Sequence, residues 1–184
     1  MRCLIAILVL CMVNLTAPSV WADQNDPQLD ELFQQLRAAP DEVAARQVEQ
    51  RIWALWVAHK ESAVNGLMEI GIGLMAHRNY PSALETFEEM VGLAPQFAEA
   101  WNKRATVHWL LGNYQDSLSD IDKTLALEPR HFGALSGRGQ VYADMEEWEL
   151  ALKAFEDALV VYPQMIGPRL NSEAIRLMLE GRPI

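Results

Sequence analysis

The sequence has few of the residues on which metal binding and nucleic-acid binding most often depend. Only two of its 184 residues are cysteines, Cys3 and Cys11, and both lie within the first 22 residues. Lys and Arg together number 15 against 25 Asp and Glu, which gives a net charge of −10. Because basic patches supply most of the affinity for nucleic acids and anionic lipid surfaces, this balance argues against both as partners.

Long hydrophobic runs are also missing, apart from one near the N-terminus. Cys3 to Val13 is an apolar run of eleven residues that follows Arg2, whereas a helix that crosses a bilayer needs about 20. Val20-Trp21-Ala22 then ends in the small residue that signal peptidase requires. Residues 1–22 are therefore predicted to be a cleaved signal peptide, and the protein is predicted to be periplasmic or secreted, with no membrane insertion after cleavage.

Two alternatives to signal cleavage stay open, a retained membrane anchor and a lipid anchor through Cys11. Lipoprotein signals have a small residue before the cysteine, and here Leu10 occupies that position. Residues 1–22 contain one basic residue and no acidic residue, so the remaining 162 residues carry 14 Lys and Arg against 25 Asp and Glu. They contain no cysteine, which excludes a disulfide or a thiolate metal site and fits a bacterial periplasm better than a eukaryotic secreted module.

A period of 34 residues organises the chain after residue 63. Its clearest marks are Pro95, Pro129 and Pro163, each 34 residues after the one before. Six further sets keep the same spacing: Leu67, Trp101 and Leu135; Gly71, Ala105 and Gly139; Tyr80, Tyr114 and Trp148; Ala83, Ser117 and Ala151; Leu84, Leu118 and Leu152; and Phe87, Ile121 and Phe155. A repeat of this length indicates stacked helical hairpins.

The repeat sets the predicted domain organisation. Three repeats are predicted at 64–97, 98–131 and 132–165, and residues 166–184 are predicted to form a C-terminal capping helix and tail. Residues 23–63 are predicted to form an N-terminal helical hairpin, either a cap or a degenerate repeat, because Pro40 falls inside what would be a first helix. Alternating strand patterns are missing, so the predicted fold class is all-α.

These repeats resemble the tetratricopeptide repeat. That family has small residues at positions 8, 20 and 27, Gly near 15, an aromatic residue at 17 and Pro at 32. The middle repeat matches it with Trp101, Ala105, Gly112, Tyr114, Ser117, Ile121, Thr124 and Pro129. The first repeat departs from it at Met90 and Arg78. The resemblance implies a right-handed α-solenoid of helical hairpins, and the whole chain is similar to short exported proteobacterial members without an assigned activity.

The resemblance also implies a concave groove lined by the first helices of the repeats. Mapped onto this sequence, the candidate partner-binding residues are Met68, Ile72 and Met75 in the first repeat, Asn102, Thr106 and Trp109 in the second, and Ser136 and Gln140 in the third. Met and Trp suit adaptable apolar contacts, and Asn and Gln suit pairing with a peptide backbone. The alternative is that the N-terminal hairpin covers the three apolar residues of the first repeat and makes them core.

Some members of the family bind the C-terminal carboxylates of chaperones through Lys, Asn and Arg in this groove. The corresponding positions here hold Met68, Ile72, Gly133 and Gly137, so that clamp is not expected. The four histidines form no His-x-x-x-His pair, and Gly-x-Ser-x-Gly is missing. We therefore predict no catalytic residues, no metal site and no cofactor.

The predicted function is that of an exported adaptor or scaffold, not an enzyme, that binds a protein or peptide in its concave groove. A specialised periplasmic assembly factor, for example in cytochrome c maturation or envelope assembly, is an alternative. A further alternative is that the protein is a non-catalytic subunit of an enzyme. The sequence predicts neither the partner nor the oligomeric state.

Overall fold

The computed structural model describes residues 23–181, so the predicted signal peptide lies outside the described residues. Residues 23–181 form helices and no strands, which confirms the all-α fold class. The helices are α1 (Gln28–Ala38), α2 (Glu42–Trp56), α3 (Ser62–Ala76), α4 (Tyr80–Leu93), α5 (Ala98–Leu110), α6 (Tyr114–Leu127), α7 (Phe132–Asp144), α8 (Trp148–Val161) and α9 (Ile166–Leu179). In this part of the chain no helix combines the length and apolarity needed to cross a membrane.

Helices α3 to α8 form three hairpins, one for each 34-residue period. In all three, the residue two positions after the end of the first helix has a positive φ: Arg78 at 58°, Gly112 at 78° and Glu146 at 61°. The next residue's N–H then donates to a carbonyl five residues back, as from Asn79 to Leu74 O at 2.9 Å. This Schellman arrangement satisfies the free carbonyls at the end of the helix and turns the chain into the second helix of the hairpin.

Each hairpin packs on the next, and α9 packs on the last one. Ile175 of α9 is buried with Ala151 and Phe155 of α8, so the C-terminal helix covers the apolar face that the third repeat would otherwise expose. Helix α9 begins at Ile166, with Pro168 in its first turn. Proline is tolerated there because the first N–H groups of a helix have no partner inside the helix.

The N-terminal hairpin, α1 and α2, packs across the loops that join one repeat to the next. Its apolar face is buried together with Phe132 at the start of α7 and Tyr162 after α8. The side chain of Gln24 bonds to the backbone of Gln96 and Ala98, between the first and second repeats. The residues buried from the hairpin itself are Leu29, Leu32, Phe33, Leu36, Ala39, Ala45, Ile52 and Trp56. The hairpin therefore contacts junctions that are far apart along the chain.

Candidate peptide-binding groove

Five of the predicted groove residues line one open cavity between α5 and α7. Asn102, Thr106 and Trp109 lie on one face of α5, and Ser136 and Gln140 lie one turn apart on α7. The cavity measures about 280 Å³. The other residues that line it are Ala105, Ser117, Ile121, Gly133, Ala134, Gly137 and Val141, most of them small. The short side chains leave space between the two helices, and the longer polar ones form its walls.

Hydrogen bonds fix the side chains at the end of this cavity that lies between the C-termini of α5 and α7. Trp109 Nε1 donates to Asp144 Oδ2 at 2.6 Å, and Gln140 Nε2 donates to Asp144 Oδ1 at 2.8 Å. The carboxylate of Asp144 thus ties α5 to α7 across the mouth of the groove. On α5, Thr106 Oγ1 donates to the Asn102 carbonyl at 2.9 Å.

A buried ionic cluster closes the other end of the groove. Glu99 is 1% exposed, and its Oε1 lies 2.9 Å from Lys103 Nζ. Its Oε2 accepts hydrogen bonds from Asn102 Nδ2 and His131 Nε2, each at 2.9 Å. Burial acts to raise the pKa of Glu99, but the Lys103 charge and the His131 hydrogen bond outweigh it and hold that pKa below its ordinary value.

His131 is fully buried and has a structural role in this cluster. Its Nδ1 accepts a hydrogen bond from the Ala134 N–H at 3.0 Å, which caps the N-terminus of α7. Because Nδ1 is the acceptor, the neutral ring carries its proton on Nε2 and donates it towards Glu99. Trp56 of the N-terminal hairpin stacks on this ring at 4.2 Å with an interplanar angle of 8°.

The N-terminal hairpin also closes this end of the groove through Trp53. A β-carbon added at Gly133 would lie 2.9 Å from the Trp53 ring, so the missing side chain at that position makes room for the indole. Lys103 Nζ lies 5.5 Å from the centre of the same ring, a distance at which a cation and an aromatic face attract each other. The hairpin thus covers one end of the groove and leaves the cavity at Trp109 open.

The structure places the three candidates of the first repeat elsewhere. Met68 is 4% exposed and is buried with Phe87 and Phe97 in a core cluster of α3, α4 and the start of α5. Met75 is partly buried against the same cluster, whereas Ile72 is 43% exposed. None of the three lines the cavity between α5 and α7.

Asp144 is the functional candidate that sequence reasoning missed. In the sequence it stands beside Glu146, Glu147 and Glu149, and that acidic turn reads as a solvated surface. The available signal was its spacing, since Asp144 follows Gln140 by four residues and therefore shares its helical face. Among residues 23–181, no group of three or more His, Cys, Asp and Glu side chains is arranged to hold a metal ion.

Comparison with known proteins shows the family of this chain. The sequence pattern of the tetratricopeptide repeat family matches residues 68–129 and 111–166, more than half of the chain. A TPR repeat-containing protein of Rhizobium etli is 36% identical over 153 residues, which are 83% of this chain and 74% of that protein. The chain belongs to the tetratricopeptide repeat family. Another relative matches a shorter stretch: Hsp70-Hsp90 organizing protein 3 of Arabidopsis thaliana is 26% identical over 91 residues, which are 50% of this chain and 16% of that protein.

Solved tetratricopeptide repeat domains have the same fold. The first such domain of Spaghetti (RPAP3), bound to the HSP90 peptide SRMEEVD, aligns with a TM-score of 0.62 at 21% identity over 65% of this chain and 94% of that one. The TPR2B domain of yeast Sti1, in a complex with pHsp70, aligns with a TM-score of 0.59 at 17% identity over 66% and 100%. At these identities the likeness concerns the fold alone.

Proposed function

We propose that this tetratricopeptide repeat protein is an exported, non-catalytic adaptor that holds a short extended segment of a partner protein between α5 and α7. The observation that carries the proposal is the convergence of Asn102, Thr106, Trp109, Ser136 and Gln140 on one open cavity. Peptide binding by the Spaghetti domain, whose fold this chain shares, supports a peptide as the type of ligand.

The chemistry of the cavity suits a peptide better than an enclosed small molecule. At about 280 Å³ it is open and lies just below the roughly 300–1,000 Å³ of pockets that enclose drug-sized ligands. Amides such as Asn102 and Gln140 have both donors and acceptors, so they match the alternating N–H and C=O groups of an extended backbone.

The groove is also held in shape before a partner arrives. Its closed end is fixed by the buried Glu99, Lys103 and His131 cluster, and its open end by the bonds from Trp109 and Gln140 to Asp144. A site that is already ordered loses less conformational entropy on binding. We therefore assign the rigid α5–α7 pair, and not the loops, as the binding element.

Photo-crosslinking tests the binding surface. A photoreactive amino acid at Ser136 in the groove should capture a partner, whereas the same group at the exposed Gln115 of α6 should not. Trp109→Ala should abolish the capture while the far-ultraviolet circular dichroism stays that of the folded protein. Equal capture from both positions would contradict a groove-centred function.

Export rests on residues 1–22 and needs its own test. Cell fractionation followed by mass spectrometry of the N-terminal peptide should find a periplasmic or secreted protein that begins at Asp23. A cytoplasmic protein that still carries Arg2 would refute export and leave the peptide-binding proposal intact. A lipid-modified Cys11 would instead show anchoring.

A further inference from the structure

The groove between α5 and α7 presents hydrogen-bond acceptors, because most of its donors are already used inside the protein. The single N–H of the Trp109 indole donates to Asp144, the Thr106 hydroxyl donates to the Asn102 carbonyl, and the Ser117 hydroxyl donates to the Ala105 carbonyl at 2.9 Å. Hydroxyl oxygens and carboxylates keep free lone pairs after such bonds. A partner that enters the groove therefore meets more acceptors than donors.

The residues that line the cavity include no Lys, Arg or His. The cationic side chains on α5 and α7 are occupied by acids elsewhere: Lys103 by Glu99 at 2.9 Å, Arg104 by Asp120 at 2.7 Å, and Arg138 by Asp122. The acid in each pair offsets the positive charge of its cation. The groove thus lacks the positive charge that an acidic peptide requires.

Negative charge is concentrated at the open end of the groove. Asp144 accepts its two hydrogen bonds from the neutral N–H groups of Trp109 and Gln140, so these contacts do not cancel its charge. It is also the last residue of α7, where the helix dipole adds partial negative charge and favours a cation. The Trp109 ring lines the cavity beside this carboxylate, and an indole face attracts ammonium and guanidinium groups.

We infer that the groove binds a partner segment that carries a Lys or Arg side chain, with its aliphatic part on Trp109 and its charge at Asp144. This inference rests on the proposed function, since it names the chemistry of the segment held between α5 and α7. A preference for basic segments is the opposite of a preference for acidic peptides such as SRMEEVD, the peptide bound to the Spaghetti domain.

A positional library of octapeptides with acetylated N-termini and amidated C-termini tests the inference directly. Binding to the purified protein should enrich Lys or Arg at one position. In the best binder, replacing that residue by norleucine should weaken binding about tenfold, a loss between those expected for a cation on an exposed and on a desolvated indole. Binding of the basic peptide should also weaken as the salt concentration rises.

Variants of the protein assign the effect to Asp144. Asp144→Asn should lower the affinity for the basic peptide more than it lowers the affinity for the norleucine peptide, because only the basic peptide loses a charge contact. Asp144→Lys should move the preference towards Glu at the same position. Glu149→Gln, an equal charge change at an exposed residue of α8, is the matched control and should have no effect.

The outcomes separate this inference from the proposed function. Enrichment of Asp or Glu, or equal affinity of Asp144→Asn and the unchanged protein for the basic peptide, would overturn the basic preference while peptide binding stands. If no library pool binds and the nuclear magnetic resonance signals of Trp109 and Gln140 do not shift, the proposed function fails and the basic preference fails with it.

Discussion

The ring of Phe155 occupies the space that a side chain on Gly139 would need. A β-carbon added at residue 139 would lie 2.5 Å from Phe155 Cδ1, and one added at Gly71 would lie 2.4 Å from the Phe87 ring. In the middle repeat the same two positions hold Ala105 and Ile121. The two positions therefore vary together, so that a large ring on the second helix faces a residue without a side chain on the first.

The first prediction concerns this pairing. Gly139→Ala should lower the free energy of unfolding by about 1–3 kcal/mol, the usual cost of an extra methyl group in a packed core. In the double variant with Phe155→Ile, which copies the middle repeat, the cost of the alanine should largely disappear. Urea denaturation of the four proteins in this cycle measures the coupling.

Gly73 provides the control for that cycle. It lies inside α3, and a β-carbon added there meets no atom within 4 Å. Gly73→Ala should therefore stabilise the protein, by up to about 1 kcal/mol from helix propensity. Equal effects of alanine at residues 73 and 139 would contradict the packing explanation.

A second prediction follows from the turns inside the repeats. Arg78 and Glu146 have left-handed backbones, which cost roughly 1–2 kcal/mol for residues other than glycine. Glycine removes this strain but loses more chain entropy on folding, so Arg78→Gly and Glu146→Gly should each stabilise the protein by about 0.5–1 kcal/mol. Thermal unfolding measures the gain, and Gly112→Ala should destabilise the equivalent turn.

A third prediction concerns the pH dependence of stability at the closed end of the groove. The pKa of Glu99 is lowered below its ordinary value of 4.5 on folding, so its carboxylate contributes stability above about pH 4.5 that is lost as the pH falls through the lower folded value. Glu99→Gln should cost about 3 kcal/mol at pH 7, because it leaves Lys103 without its buried partner.

Denaturation at a series of pH values checks this. The difference between Glu99→Gln and the unchanged protein should be constant at neutral pH and shrink below about pH 4.5. Glu149→Gln, on an exposed residue, should show no comparable trend. A difference that does not change with pH would mean that Glu99 acts by shape and not by charge.

The fourth prediction tests how firmly the N-terminal hairpin is attached. Trp56 is 1% exposed between Phe33, His131 and Phe132, and removing a buried tryptophan side chain costs about 3–5 kcal/mol. In Trp56→Ala, hydrogen exchange should accelerate first in α1 and α2 and least in α5 and α6. Val43→Ala, at a hairpin residue that is 70% exposed, should leave the exchange rates unchanged.

The repeats were predictable because their signals are local. The 34-residue spacing of Pro95, Pro129 and Pro163 and the small residues of each period identify the helical hairpins, and the described helices follow them. Helix α9 begins at Ile166, two residues before Pro168. Proline excludes a helix interior but not a first turn.

The site was predictable only in part, because helical periodicity shows which face is apolar but not what covers it. Met68 and Asn102 occupy the same position in the first and second repeats. Asn102 lines the cavity, whereas Met68 is buried in the core with Phe87 and Phe97. The contact between Phe33 and Phe132 joins residues 99 positions apart, and no local pattern specifies such a pair.

Repeat proteins usually tolerate the addition or removal of whole units, because each unit touches only its neighbours. Here Gln24 bonds at the first junction, Trp56 stacks on His131 at the second, and Gln164 donates to the Ala39 carbonyl at the end of the third repeat. The N-terminal segment thus contacts the repeats at three places, and its contacts require the present distances between them. An inserted or deleted hairpin would move those contact points out of alignment, so we expect this chain to tolerate a change in repeat number less well than an array whose units contact only their neighbours.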